Sequence, residues 1–129
     1  MKQELPPLSE SQLEIMNIIW DAKETTVNHV WQTLQTRKIV ARNTVQTLMS
    51  RLDEKMWLKH KKVGNIFYYS ATKPKSNTLK NMADKLLNNA FGGSVDNLMM
   101  ALFDGGNIST EDSKKIRELI DQFEENQND

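Results

Sequence analysis

Cysteine is absent from the chain, which excludes disulfides, zinc–thiolate clusters and thiol nucleophiles and leaves a reducing compartment open. Histidine is scarce, and His29 and His60 lie far apart in the sequence. The 5 glycines form no phosphate-cradling loop. The parts of a catalytic site are therefore missing, and neither an enzyme activity, a cofactor nor a metal is expected. No apolar run approaches the roughly 20 residues that span a bilayer, and the opening MKQELPPLSESQ has no stretch of signal-peptide length. A cytoplasmic protein without membrane insertion is the expectation. With 129 residues, 38% hydrophobic and 26% charged, the chain has enough apolar content to fold as one small domain with an appendage.

Net charge is also absent, since 17 Lys and Arg balance 17 Asp and Glu, but the balance hides an asymmetry. Through Lys75 there are 12 basic against 7 acidic residues, and from Ser76 onward 5 against 10. The stretch from Arg37 to Lys75 alone carries 10 basic and 2 acidic residues. One half attracts a polyanion and the other is repelled by it.

Apolar spacing predicts the helices. Ser9 opens a segment in which Leu13, Ile15, Met16, Ile18, Ile19 and Trp20 form a broad stripe. Val27, Val30, Trp31 and Leu34 follow the i, i+3, i+4, i+7 rule, in a helix expected to end near Lys38. Val45, Leu48, Met49, Leu52 and Met56 repeat it. Opposite this third stripe stand Asn43, Gln46, Thr47 and Ser50, with Arg42 and Arg51 at the flanks, Thr44 beside them and Glu54 towards the end. A merely solvated face would carry more Glu and Lys. Asn and Gln pair bidentately with adenine, Thr meets the thymine methyl, and Arg binds phosphate or guanine. That is the chemistry of a recognition helix.

From Trp57 the period shortens. WLKHKKV and IFYYSA flank Gly64-Asn65, two β-forming runs about a hairpin turn. A helix-turn-helix followed by such a hairpin is a winged helix, here filling residues 8 to 72, and Lys59, Lys61 and Lys62 are placed to lie along a phosphate backbone. His60 is read as a further contact to that backbone, and His29 as an exposed polar position on the second helix. An RNA-binding or adaptor module is the alternative, because Phe67, Tyr68 and Tyr69 could stack on bases. Strand alternation is expected to send two of the three into the core.

Pro74 and the polar run KPKSN mark a boundary, giving a DNA-binding domain over 1–73 and a helical domain over 74–129. In the second, Leu79, Met82, Ala83, Leu86, Leu87 and Ala90 make one amphipathic helix. Val95, Leu98, Met99, Leu102 and Phe103 make another, and Ile116, Leu119, Ile120 and Phe123 stripe a last one behind a Ser109–Asp112 capping box. Segments this short rarely bury their faces alone, so a dimer is expected, with Leu86, Leu87, Leu98, Met99, Leu102, Phe103, Ile116, Leu119, Ile120 and Phe123 as its contacts. The fold class is mainly α with a small β-hairpin wing.

The blocks MNIIWDAKETTVNHVWQTLQ, NTVQTLMSRLDEKMWLKHKK and NIFYYSA, continued by KNMADKLLNNAFGGSVDNLMMALF, resemble the BlaI/MecI family of penicillinase and methicillin-resistance repressors. The resemblance implies a homodimer with two winged helices on palindromic double-stranded operator DNA and an interlocked helical tail. It also implies a membrane sensor-protease partner that triggers cleavage of the tail, at a bond matching Leu102–Phe103. Family members typically carry Asn before that Phe, where this chain has Leu102, and often carry basic residues where it has Asn43 and Gln46. Thr44, Thr47 and Arg51 match.

Overall fold

The computed structural model describes residues 4–127. Helix α1 (Glu10–Ala22) begins at a reciprocal cap: Ser9 Oγ accepts from the Gln12 amide at 3.2 Å, and the Ser9 amide donates to Gln12 Oε1 at 2.9 Å. Strand β1 (Glu24–Thr25) follows, and then α2 (Val27–Gln35), whose first turn is capped by Thr26 Oγ1 accepting from the His29 amide. The second helix stops short of the expected Lys38. Thr36 Oγ1 donates to the Thr33 carbonyl at 2.7 Å, and the Arg37 and Lys38 amides both donate back to the Leu34 carbonyl, closing the helix in a tight turn.

Helix α3 (Arg42–Glu54) buries Val45, Met49 and Leu52. Met56, the expected last member of its stripe, lies beyond the helix at φ 72° and is 66% exposed, so it leaves the core. Strands β2 (Leu58–Val63) and β3 (Ile66–Ala71) pair antiparallel with Val63 opposite Ile66, and β1 joins the far side of β3 to give the order β1-β3-β2. Gly64 holds φ 63° while Asn65 stays at negative φ. That combination fits a type II′ turn, which asks for Gly only at the first central position.

Helices α1 and α3 pack on the inner face of this sheet, and α2 packs against both of them. Ile15, Met16, Ile19, Val30, Val45, Met49 and Leu52 are fully buried there, with Leu58 and Tyr69 supplied by the strands. Each such side chain contributes about 1.5–3 kcal/mol of burial, enough to give this region a core of its own. Three indoles fasten its edges: Trp57 Nε1 donates to the Pro6 carbonyl at 2.8 Å, Trp31 Nε1 to Val40 at 2.9 Å and Trp20 Nε1 to Lys73 at 2.9 Å.

Two compact units meet in the sequence between Lys80 and Asn81. The first thus runs past Pro74 into α4 (Lys75–Lys85), where Thr78 is buried and donates to the Pro74 carbonyl at 3.0 Å. Beyond α4 the backbone widens into a π-helical turn (Leu86–Ala90) and breaks at Gly92 and Gly93, both at positive φ. Helix α5 (Val95–Asp104) is capped by Ser94, and α6 (Thr110–Gln127) by the Ser109–Asp112 pair bonded in both directions. From Asn81 on, no described residue is buried. Among the described residues, no helix is long and apolar enough to cross a membrane.

Candidate nucleic-acid interface

The register of α3 is fixed by its inner stripe: with Val45, Met49 and Leu52 in the core and Leu48 packed against it, the opposite side of the helix must face outward. Asn43, Gln46, Thr47, Ser50, Arg51 and Glu54 accordingly line one open, shallow surface. Thr44 and Arg42 are exposed beside them. Ala41 starts the helix without a side-chain cap. Trp31 holds the loop that leads into this helix through its bond to Val40, so the outward face of α3 is braced from α2.

Arg42 does not stand alone at the flank. Its Nε donates to Asn28 Oδ1 on α2 at 2.5 Å, and its Nη1 reaches Gln46 Oε1 one turn along α3 at 3.4 Å. Asn28 is a residue that apolar periodicity passes over, since it lies on the polar side of α2 and its partner belongs to another helix.

On the wing, period-two alternation divides the lysines. His60 and Lys62 stand opposite Tyr69 and Phe67, whereas Lys59 and Lys61 point to the other face of the ribbon. Lys61 Nζ lies 3.3 Å from Glu24 Oε2, and Lys62 Nζ sits 5.9 Å above the Phe67 ring. All three lysines remain exposed. His60 departs from the expected backbone contact: its Nδ1 pairs with the Asp53 carboxylate at the end of α3, and its ring meets Phe67 edge-on. The histidine thereby ties the wing to α3. Lys38 is likewise engaged within the fold, 2.6 Å from Glu14 Oε1.

The aromatic run also differs from expectation. Tyr69 alone is buried, Tyr68 is half-buried, and Phe67 is 45% exposed because it lies where the ribbon extends past the helices. Burial pushes the Tyr69 hydroxyl above its usual pKa, and the nearby Asp53 carboxylate adds to the rise. His29 is exposed, as expected.

In the tail, Leu86, Leu102, Phe103, Leu119, Ile120 and Phe123 are exposed, while Leu87, Leu98, Met99 and Ile116 are half-buried. The Leu102–Phe103 bond lies in the last turn of α5, shortly before Gly105-Gly106.

Comparison with known proteins agrees with this arrangement. The sequence profile of the family described as "Penicillinase repressor" matches residues 8–122. The penicillinase repressor of Bacillus licheniformis is 27% identical over 120 residues, covering 93% of this chain and 94% of that protein. The solution structure of the DNA-binding domain of the repressor BlaI superposes with a TM-score of 0.52 at 30% identity, over 59% of this chain and 93% of that one. The monomeric form of Bacillus licheniformis BlaI, solved in complex with the blaP half-operator, gives 0.50 at 31% identity, over 57% and 90%. A winged-helix fold, a polar outward face on its third helix and a match spanning nearly the whole sequence lead to one assignment: the chain belongs to the penicillinase-repressor family, the BlaI/MecI group of transcriptional repressors.

Proposed function

We propose that this repressor binds a palindromic double-stranded operator as a homodimer, each copy placing α3 in a major groove and laying its wing along the backbone. The observation that carries the reading is the outward face of α3, where Asn43, Gln46 and Thr47 offer base-reading chemistry. Arg42, Thr44, Ser50 and Arg51, with Lys59, Lys61 and Lys62 on the wing, supply phosphate contacts. The BlaI complex with a half-operator supports carrying this mode over.

The dimer rests on the unburied tail. Leu119 and Phe123 are each 64% exposed, and a second copy is the partner that a two-fold operator rewards. Release then follows from a cut at Leu102–Phe103 by a membrane sensor-protease system, which separates α6 from the reader. Leu102, in place of the family's Asn, is the position at which this step is tested. Leu102→Asn is expected to speed cleavage in cells carrying such a sensor, and an unchanged band pattern would remove the step.

Phe67 keeps the RNA-binding alternative in view, but His60 and Lys62 already take up part of its ring, which counts against it as a free stacking platform. Fluorescence anisotropy separates the two. Genomic footprinting with the purified protein supplies the duplex, and binding to it is expected to exceed binding to single-stranded RNA of the same length by at least about tenfold. Equal affinities would overturn the operator reading.

A further inference from the structure

The Arg42 contacts bear on which base Gln46 reads. A glutamine amide can present its oxygen, its NH2 group or both to a base edge, and adenine needs both, an acceptor for N6–H and a donor for N7. Here Gln46 Oε1 faces a guanidinium on its own helix, and Arg42 is in turn held by Asn28 Oδ1 across the α2–α3 gap. Flipping the amide would set NH2 donors against an Arg donor, so the oxygen stays turned inward and the NH2 group outward. Arginine has five N–H donors, and these two bonds leave the Nη2 edge for a phosphate.

Building on the operator reading above, we propose that Asn28, Arg42 and Gln46 form a relay that fixes the Gln46 amide with its donors towards the groove. The specificity at that base pair is then for an edge made of acceptors, guanine with O6 and N7, in preference to adenine. Asn28 touches no base in this scheme. It is a positioning residue, and it acts by keeping Nη1 of the guanidinium beside Gln46 while the Nη2 edge stays open to a phosphate.

The test is selection from a randomised duplex library with the intact chain, alongside Gln46→Ala, Asn28→Ala and Asn28→Asp. The column whose preference disappears in Gln46→Ala is the base pair that Gln46 reads. In that column the wild-type chain is expected to favour guanine over adenine by about tenfold. Asn28→Ala brings the ratio to about twofold or below, and Asn28→Asp, which keeps the acceptor oxygen, restores it. Asn28 is exposed, so its replacement leaves the core intact, and a merely structural defect would weaken all columns together. The relay is overturned if the column reads adenine in the wild type, if Asn28→Ala keeps the wild-type ratio, or if Gln46→Ala abolishes no column. Those outcomes leave operator binding standing. An absence of any enriched motif with the intact chain would remove the operator reading and the relay with it.

Discussion

Up to Lys80 the chain completely buries seven apolar side chains beneath its sheet. From Asn81 onward three helical segments carry regular apolar stripes and bury no described residue. Both halves obey the same helical periodicity, so periodicity by itself does not distinguish a buried core from a stripe that stays exposed. The difference lies in what the topology brings together. The reader closes its helices over β2 and β3, whereas the tail stripes are left unburied within the chain.

The strongest test of that contrast removes the tail. A fragment ending at Lys80 is expected to fold and to sediment as a monomer. Its operator affinity should fall by about 10²–10⁴-fold, because the second half-site contact is no longer intramolecular. Leu119→Asp in the full chain should lose affinity in the same way, since a packed interface rejects an unpaired carboxylate. Equal affinity of fragment and intact chain would make the tail irrelevant to DNA binding.

Within the reader, Trp31→Ala should cost about 3 kcal/mol in a denaturant melt, through lost burial and the lost tether to Val40. An unchanged midpoint would show that α3 needs no brace from α2. On the outer surface the expected costs shrink. Gln46→Ala loses about 1–3 kcal/mol on the operator and relaxes one base pair, while Lys62→Ala weakens every duplex alike and lowers the salt slope by about 1. The pattern fails if both mutants lose equally on operator and random DNA.

The smallest effect concerns Tyr69. Its raised pKa means that the native state holds the phenol proton more tightly than the unfolded chain does. The resulting stability is complete below the ordinary value of 10.0 and is lost as pH rises above it. Tyr69→Phe should flatten that alkaline decline in the reader and leave the tail's behaviour unchanged, as paired pH titrations of stability would report.

Much of this arrangement is legible in the sequence itself. The α1, α2 and α3 stripes, the Gly64-Asn65 hairpin and the polar face of α3 each repeat a local rule often enough to register. Strand β1 is hidden from such a reading because two residues cannot display alternation. Met56 continues the third stripe in sequence, yet positive φ has already ended the helix. Phe67 obeys the alternation that buries Tyr69, but the sheet outruns its covering helices at that point. Asn28 and the His60–Asp53 pair depend on contacts between separate elements, and no pattern along one segment encodes them.

The three tryptophans that fasten the reader's edges, Trp20, Trp31 and Trp57, are the only ones in the chain, and all precede Lys80. Intrinsic emission therefore reports on the reader and is nearly blind to the tail, while far-ultraviolet ellipticity sums the helices of both. Heating one unlabelled sample and following both signals yields two melting curves, and the gap between them measures how far the folding of each half depends on the other.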